Sequence, residues 1–89
     1  MLNYYQKHEA TKLSEVKTMS FDYSKLRGKI IEKFGSQSAF AKVFGVSENT
    51  FSQKMNNKVR FNTDDMVRIV RMLDIPENEI NDYFFTSKV

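Results

Sequence analysis

The sequence predicts an all-α domain of five helices. Three observations carry that expectation. Apolar residues recur at intervals of three and four, as in Met66, Ile69, Val70 and Leu73, the spacing that lines one face of a helix. No segment alternates with period two strongly enough to be a strand. Between the periodic stretches stand Gly35-Ser36, Gly45-Val46-Ser47, Asn56-Asn57 and Asp74-Ile75-Pro76, residues that stop one helix and cap the next.

The totals set the scale. Eighty-nine residues allow one small domain. Eight Phe and five Met, with no Trp, must supply the bulk of an economical core. There is no cysteine, hence no disulfide framework and no cysteine-ligated metal site. The single histidine, His8, is a poor basis for a metal site by itself. No apolar run approaches membrane-spanning length, and no apolar stretch follows the N-terminal charges as in a signal peptide. A soluble, cytoplasmic protein without cofactors or a membrane association is expected.

The leader, residues 1–20, is the least defined part. Leu13 and Val16 stand at i, i+3 within 9–17, but no strong cap precedes them. It reads either as a partly ordered leader or as an arm that tracks a phosphate backbone or grips a partner. Met19 could serve as an internal start, because the compact domain, residues 21–89, begins just after it. Asp22 is placed to cap a first helix, with Phe21 and Leu26 as a hydrophobic staple. Leu26, Ile30, Ile31 and Phe34 form its inward stripe, and Lys25, Arg27, Lys29 and Lys33 cover the remainder. Gly28 lies mid-helix at a cost of about 1 kcal/mol against Ala; close packing of another helix would account for it.

The next stretch, Gln37 to Asn57, organises the rest. A helix from Gln37 to Phe44 buries Phe40, Ala41 and Phe44, and one from Glu48 to Asn56 buries Phe51 and Met55. Ser36 caps the first. Gly45 makes the sharp turn, where a positive φ is needed, and Ser47 caps the second. Val46 and Phe51 are spaced for a staple. Asn56 or Asn57 suits the left-handed residue that closes the second helix. Asn62 caps a fourth helix, with Asp64 and Asp65 favouring its dipole. That helix buries Met66, Ile69, Val70 and Leu73 and leaves Arg68 and Arg71 outside. Pro76 opens a fifth, reaching Phe84, with Ile80, Tyr83, Phe84 and Phe85 for the core and for self-association.

The order Q-x-x-F-A-x-x-x-G-V-S-x-x-x-F-S, from Gln37 to Ser52, resembles the lambda-repressor-like, Cro-type helix-turn-helix family of phage and bacterial regulators. The small Cro-like proteins of Gram-positive phages look most similar, and the likeness extends over about 21–85. The resemblance implies a sequence-specific double-stranded DNA-binding regulator whose second motif helix, about 48–56, lies in the major groove. By position it assigns base contacts to Glu48, Asn49 and Gln53, and phosphate contacts to Gln37, Ser47, Thr50, Ser52, Lys54, Asn57, Lys58 and Arg60. Glu48 departs from the glutamine common in the family and cannot donate when ionised. A homodimer on DNA is implied too.

The residues lend this some support of their own. The outward face of the second motif helix is rich in amide and hydroxyl groups, mediocre helix formers that can face base edges. Residues 21–60 carry eight Lys/Arg against three acids, whereas residues 61–89 carry three against six, so a polyanion-facing side is expected. The competing class is a protein-binding module: an antirepressor that captures a partner repressor through the acidic, aromatic C-terminal third or the leader. An enzyme is not expected. A Ser-His-Asp site would need His8 from the leader, no Gly-rich phosphate loop occurs, and Asp64-Asp65 point about 100° apart on a helix.

Overall fold

The computed structural model describes residues 20–88; expectations for the leader before Ser20 lie outside them. Five helices follow one another: α1 (Ser24–Phe34), α2 (Gln37–Phe44), α3 (Glu48–Met55), α4 (Thr63–Leu73) and, after a 3-10 turn at Glu77–Glu79, α5 (Ile80–Phe84). The expected all-α, five-helix domain is therefore present, and no strand occurs among the described residues.

The junctions follow the side chains that stand there. Ser36 Oγ accepts from Ala39 N–H at 3.0 Å, satisfying a donor that the first turn of α2 leaves free. Gly45 takes φ 98°, and both its N–H and that of Val46 donate back to the Ala41 carbonyl. The chain reverses there within two residues, which is what brings α3 across α2. Ala41 is buried under the crossing. Ser47 Oγ accepts from Thr50 N–H at 3.0 Å. Asn62 and Asp65 form a reciprocal capping box at the start of α4. Asn57, not Asn56, is the left-handed residue, at φ 65°, and Asp74 is a second at φ 54°. Asp22 does not cap from the expected position; its carboxylate accepts from the N–H and the hydroxyl of Ser24. Pro76 stays extended outside the turn it precedes, so the last helix starts four residues later than expected.

The core is aromatic and continuous. All eight phenylalanines and Tyr23 belong to one chain of ring contacts. It runs from Phe34 through Phe40, Phe44, Phe51 and Phe61 to Tyr23 and Phe84, and on to Phe21 and Phe85. Most neighbours meet edge to face or tilted, the arrangement favoured by the ring quadrupoles. Leu26, Ile30, Ile69, Leu73 and Ile75 fill the remaining interior. Burial departs from the expected stripes in places. Ile31 is 49% exposed, and Met66 and Val70 only pack against the edge of the core. Gly28 has nothing within 4 Å of where a Cβ would stand, so close packing does not account for it.

The two ends of the described chain are joined. Lys88 N–H donates to Ser20 and Asp22 N–H to Thr86, around an isolated bridge between Phe21 and Ser87. The Asn57 side chain extends this pairing from the other side. Its Oδ1 accepts from Phe21 N–H and its Nδ2 donates to Phe21 C=O, both at 2.9 Å. One amide thus plays the part of a third strand and fixes Phe21 against the core.

Candidate functional site

The segment that the sequence singles out, α2–turn–α3, is a true two-helix corner, with Phe40, Ala41, Phe44, Phe51 and Met55 all turned inward. Glu48, Asn49 and Thr50 are exposed along the first turn of α3, while Ser52, Gln53 and Lys54 are half-buried. The outward face is therefore most open at its beginning.

Several of the residues assigned to phosphate are instead engaged within the domain. Lys54 Nζ is paired with Asp65 Oδ2, and the two side chains are only 13% and 11% exposed. The Asn57 amide is spent on Phe21. Arg60 lies over the Phe21 ring, 5.1 Å from its centroid. It also hydrogen-bonds Tyr23, whose hydroxyl pKa is raised by burial and drawn back by that guanidinium. Thr50 Oγ1 accepts from Ser47 Oγ, and Ser52 Oγ accepts from Asn56 Nδ2. Lys58 makes no ion pair among the described residues and is exposed. Gln37 is half-buried at the start of α2.

The charge asymmetry read along the chain is also reduced by folding. Lys25 pairs with Asp82 at 3.7 Å, Lys33 with Asp74 at 3.0 Å, and Lys54 with Asp65. Each joins a cation of the basic segment to an acid of the C-terminal third. Lys29 pairs with Glu32 at 3.6 Å. Three of the eight cations of the basic block are thus paired with three of the six acids that follow it, and the polyanion-facing side is weaker than the count implies.

Arg68, expected outside, ties α4 to the motif. Its guanidinium donates to the Phe44 carbonyl and lies 4.1 Å from the centroid of that ring, placing a cation at the C-terminal end of α2 where the helix dipole favours one. Sequence reasoning missed this, and it missed the burial of Asp65. Only the Asn62-x-x-Asp65 spacing hinted at the capping box.

Residues 19–87 match the model of a family described as a protein of unknown function (DUF739). The chain belongs to this family. Among solved structures the chain is similar to the solution structure of the modulator of repression (MOR) of the temperate bacteriophage TP901-1 from Lactococcus lactis. The two are 46% identical, over 81% of this chain and 97% of that one, with a TM-score of 0.69. No curated protein matches.

These findings correct the functional expectation. The matching family is described as one of unknown function and not as a Cro-type DNA-binding one, and the similar structure is named for modulating repression, not for binding DNA. A DNA-reading regulator of repressor or Cro type is therefore not the right description of this member of the family. The base contacts assigned to Glu48, Asn49 and Gln53, and the phosphate contacts around them, were drawn from that resemblance. The physical reason the sequence misled is that a helix-turn-helix scaffold is fixed by its inward residues. Phe40, Ala41, Gly45, Ser47 and Phe51 specify the corner whatever the outer face meets.

No helix among the described residues is long and apolar enough to cross a membrane. Nor, among them, does any group of three acidic or histidine side chains converge as metal ligands would.

Proposed function

We propose that this protein is a modulator of repression that acts by binding a DNA-binding repressor protein and lowering the amount free to occupy its operator. One observation carries the reading: the likeness to a structure of that name runs over nearly the whole of that chain at 46% identity. The internal commitment of Lys54, Asn57 and Arg60 supports it, because those side chains are engaged within the domain instead of being held out to phosphate. The protein works by binding alone, without a cofactor or a catalytic step, in the cytoplasm where its repressor acts.

The test uses the full chain and the helix-turn-helix repressor encoded nearest to its own gene. Calorimetric titration should give a defined stoichiometry, and the chain, expressed with that repressor, should raise the output of a reporter placed behind the repressor's operator. A repressor that shows no heat of binding and a reporter that stays silent would overturn the reading.

A further inference from the structure

Along one side of α4 runs a shallow apolar groove of about 200 Å³, with Met66, Val67, Val70 and the α5 residue Ile80 in its lining. Met66 and Val70 are half-buried and Val67 is 42% exposed. The stripe thus packs against the edge of the core with one side and leaves the other open, and its 3,4 spacing is as regular as that of the buried one. Arg71 and Thr63 complete the lining. Three carboxylates neighbour the lining residues along the chain. Asp64 lies one turn before Val67 on the same helix, and Glu77 and Glu79 occupy the turn that leads into Ile80. None of these three makes an ion pair among the described residues, in contrast to Asp65, Asp74 and Asp82. Three free carboxylates against one guanidinium leave the margin acidic.

The other exposed apolar residues have different surroundings. Val43 follows Lys42, and Val59 stands between Lys58 and Arg60. Phe85 is covered on one side by Phe21. Ile31 has Arg27 one turn away and Lys33 two residues on. Among the described residues, the α4 groove is the exposed apolar surface with three carboxylates outside any ion pair close to it in the chain.

We infer that the groove between α4 and α5, anchored by Val67 and Ile80 and followed or preceded in the chain by Asp64, Glu77 and Glu79, is where this protein docks on the basic face of the repressor. The inference rests on the reading above and deepens it. A repressor must present Lys and Arg to phosphates in order to hold DNA. A surface with an apolar centre and acidic margin complements such a face in the manner of ordinary protein interfaces, where the centre supplies affinity and the rim supplies orientation and rate. Contact there leaves the α2–α3 corner outside the complex.

The experiment compares the full chain with four variants, each checked by circular dichroism and melting, against the repressor encoded nearest to its gene. Val67→Lys and the double variant Glu77→Lys/Glu79→Lys should each raise Kd by about tenfold or more, the latter effect shrinking as salt is raised. Asn49→Ala and Val43→Lys, on the corner, should stay within about twofold. Excess operator duplex should displace the chain. If the wild type binds but the groove variants do so equally well, or if the corner variants are the ones that fail, this assignment of the surface is wrong while repressor capture stands. A ternary complex with DNA, or groove variants that abolish only self-association in sedimentation, would also overturn it. A wild-type chain that does not bind removes both readings.

Discussion

Asp65 is the residue whose loss should reach furthest. It is the one buried charged or polar residue among those described, and its carboxylate meets two donors, the Lys54 ammonium on α3 and the backbone N–H of Asn62 at 3.1 Å. Asp65→Ala removes three things at once. The returning half of the capping box and the first-turn charge on α4 together contribute about 1–2 kcal/mol. The Lys54 ammonium is then left without its partner where its side chain is 13% exposed; a fully buried cation so abandoned costs about 3–5 kcal/mol, and the flexible lysine stem lowers that by swinging toward water. The sum is about 2–4 kcal/mol, or roughly 10–25 °C in Tm for a domain of this size. Lys54→Met leaves Asp65 its Asn62 donor and should cost only about 1–2 kcal/mol. In the double variant no unpaired cation remains, so it should be less destabilised than the two single losses added together, by about 1 kcal/mol or more. Urea or thermal melts of the four proteins measure this directly. An Asp65→Ala protein within about 0.5 kcal/mol of wild type, or a strictly additive double variant, would refute the claim that this pair joins α3 to α4.

Three further outcomes follow from the same structure. Gly28→Ala should stabilise the domain by about 0.5–1 kcal/mol, seen as a higher melting temperature, because the position is mid-helix and a Cβ there meets nothing. Asn57→Ala should cost about 2 kcal/mol through two lost hydrogen bonds and a left-handed backbone, whereas Asn57→Gly should recover the backbone part alone. The Asp22 carboxyl titrates below its ordinary value, first because of the Ser24 hydroxyl and then the Ser24 N–H. A folded-state pKa depressed in this way gives stability that is present above the unfolded pKa and lost as pH falls through the folded one. An NMR titration should place Asp22 below the ordinary carboxylate midpoint, and Ser24→Ala should move it back upward.

Local chemistry is where the amino-acid sequence spoke for itself. Ser36, Gly45, Ser47 and Asn62 each act through backbone groups within four residues of themselves, and a donor so close in the chain is available whatever the rest of the molecule does. The positions of α2, α3 and α4, and the burial of Phe40, Phe44, Phe51, Met55, Ile69 and Leu73, could therefore be read directly. The outer surface could not. Lys54 reaches Asp65 across eleven residues, Lys33 reaches Asp74 across forty-one, and Asn57 grips Phe21 across thirty-six. Whether a lysine faces solvent or a carboxylate from another helix is set by how the helices cross, and no short-range pattern encodes that crossing. The helix-turn-helix corner was thus legible from its inward residues, but its use was not. Which surface of such a scaffold stays charged is set by the pairs the tertiary fold makes: here Lys25, Lys33 and Lys54 are joined to acids of the C-terminal third, while Asp64, Glu77 and Glu79 make no ion pair among the described residues.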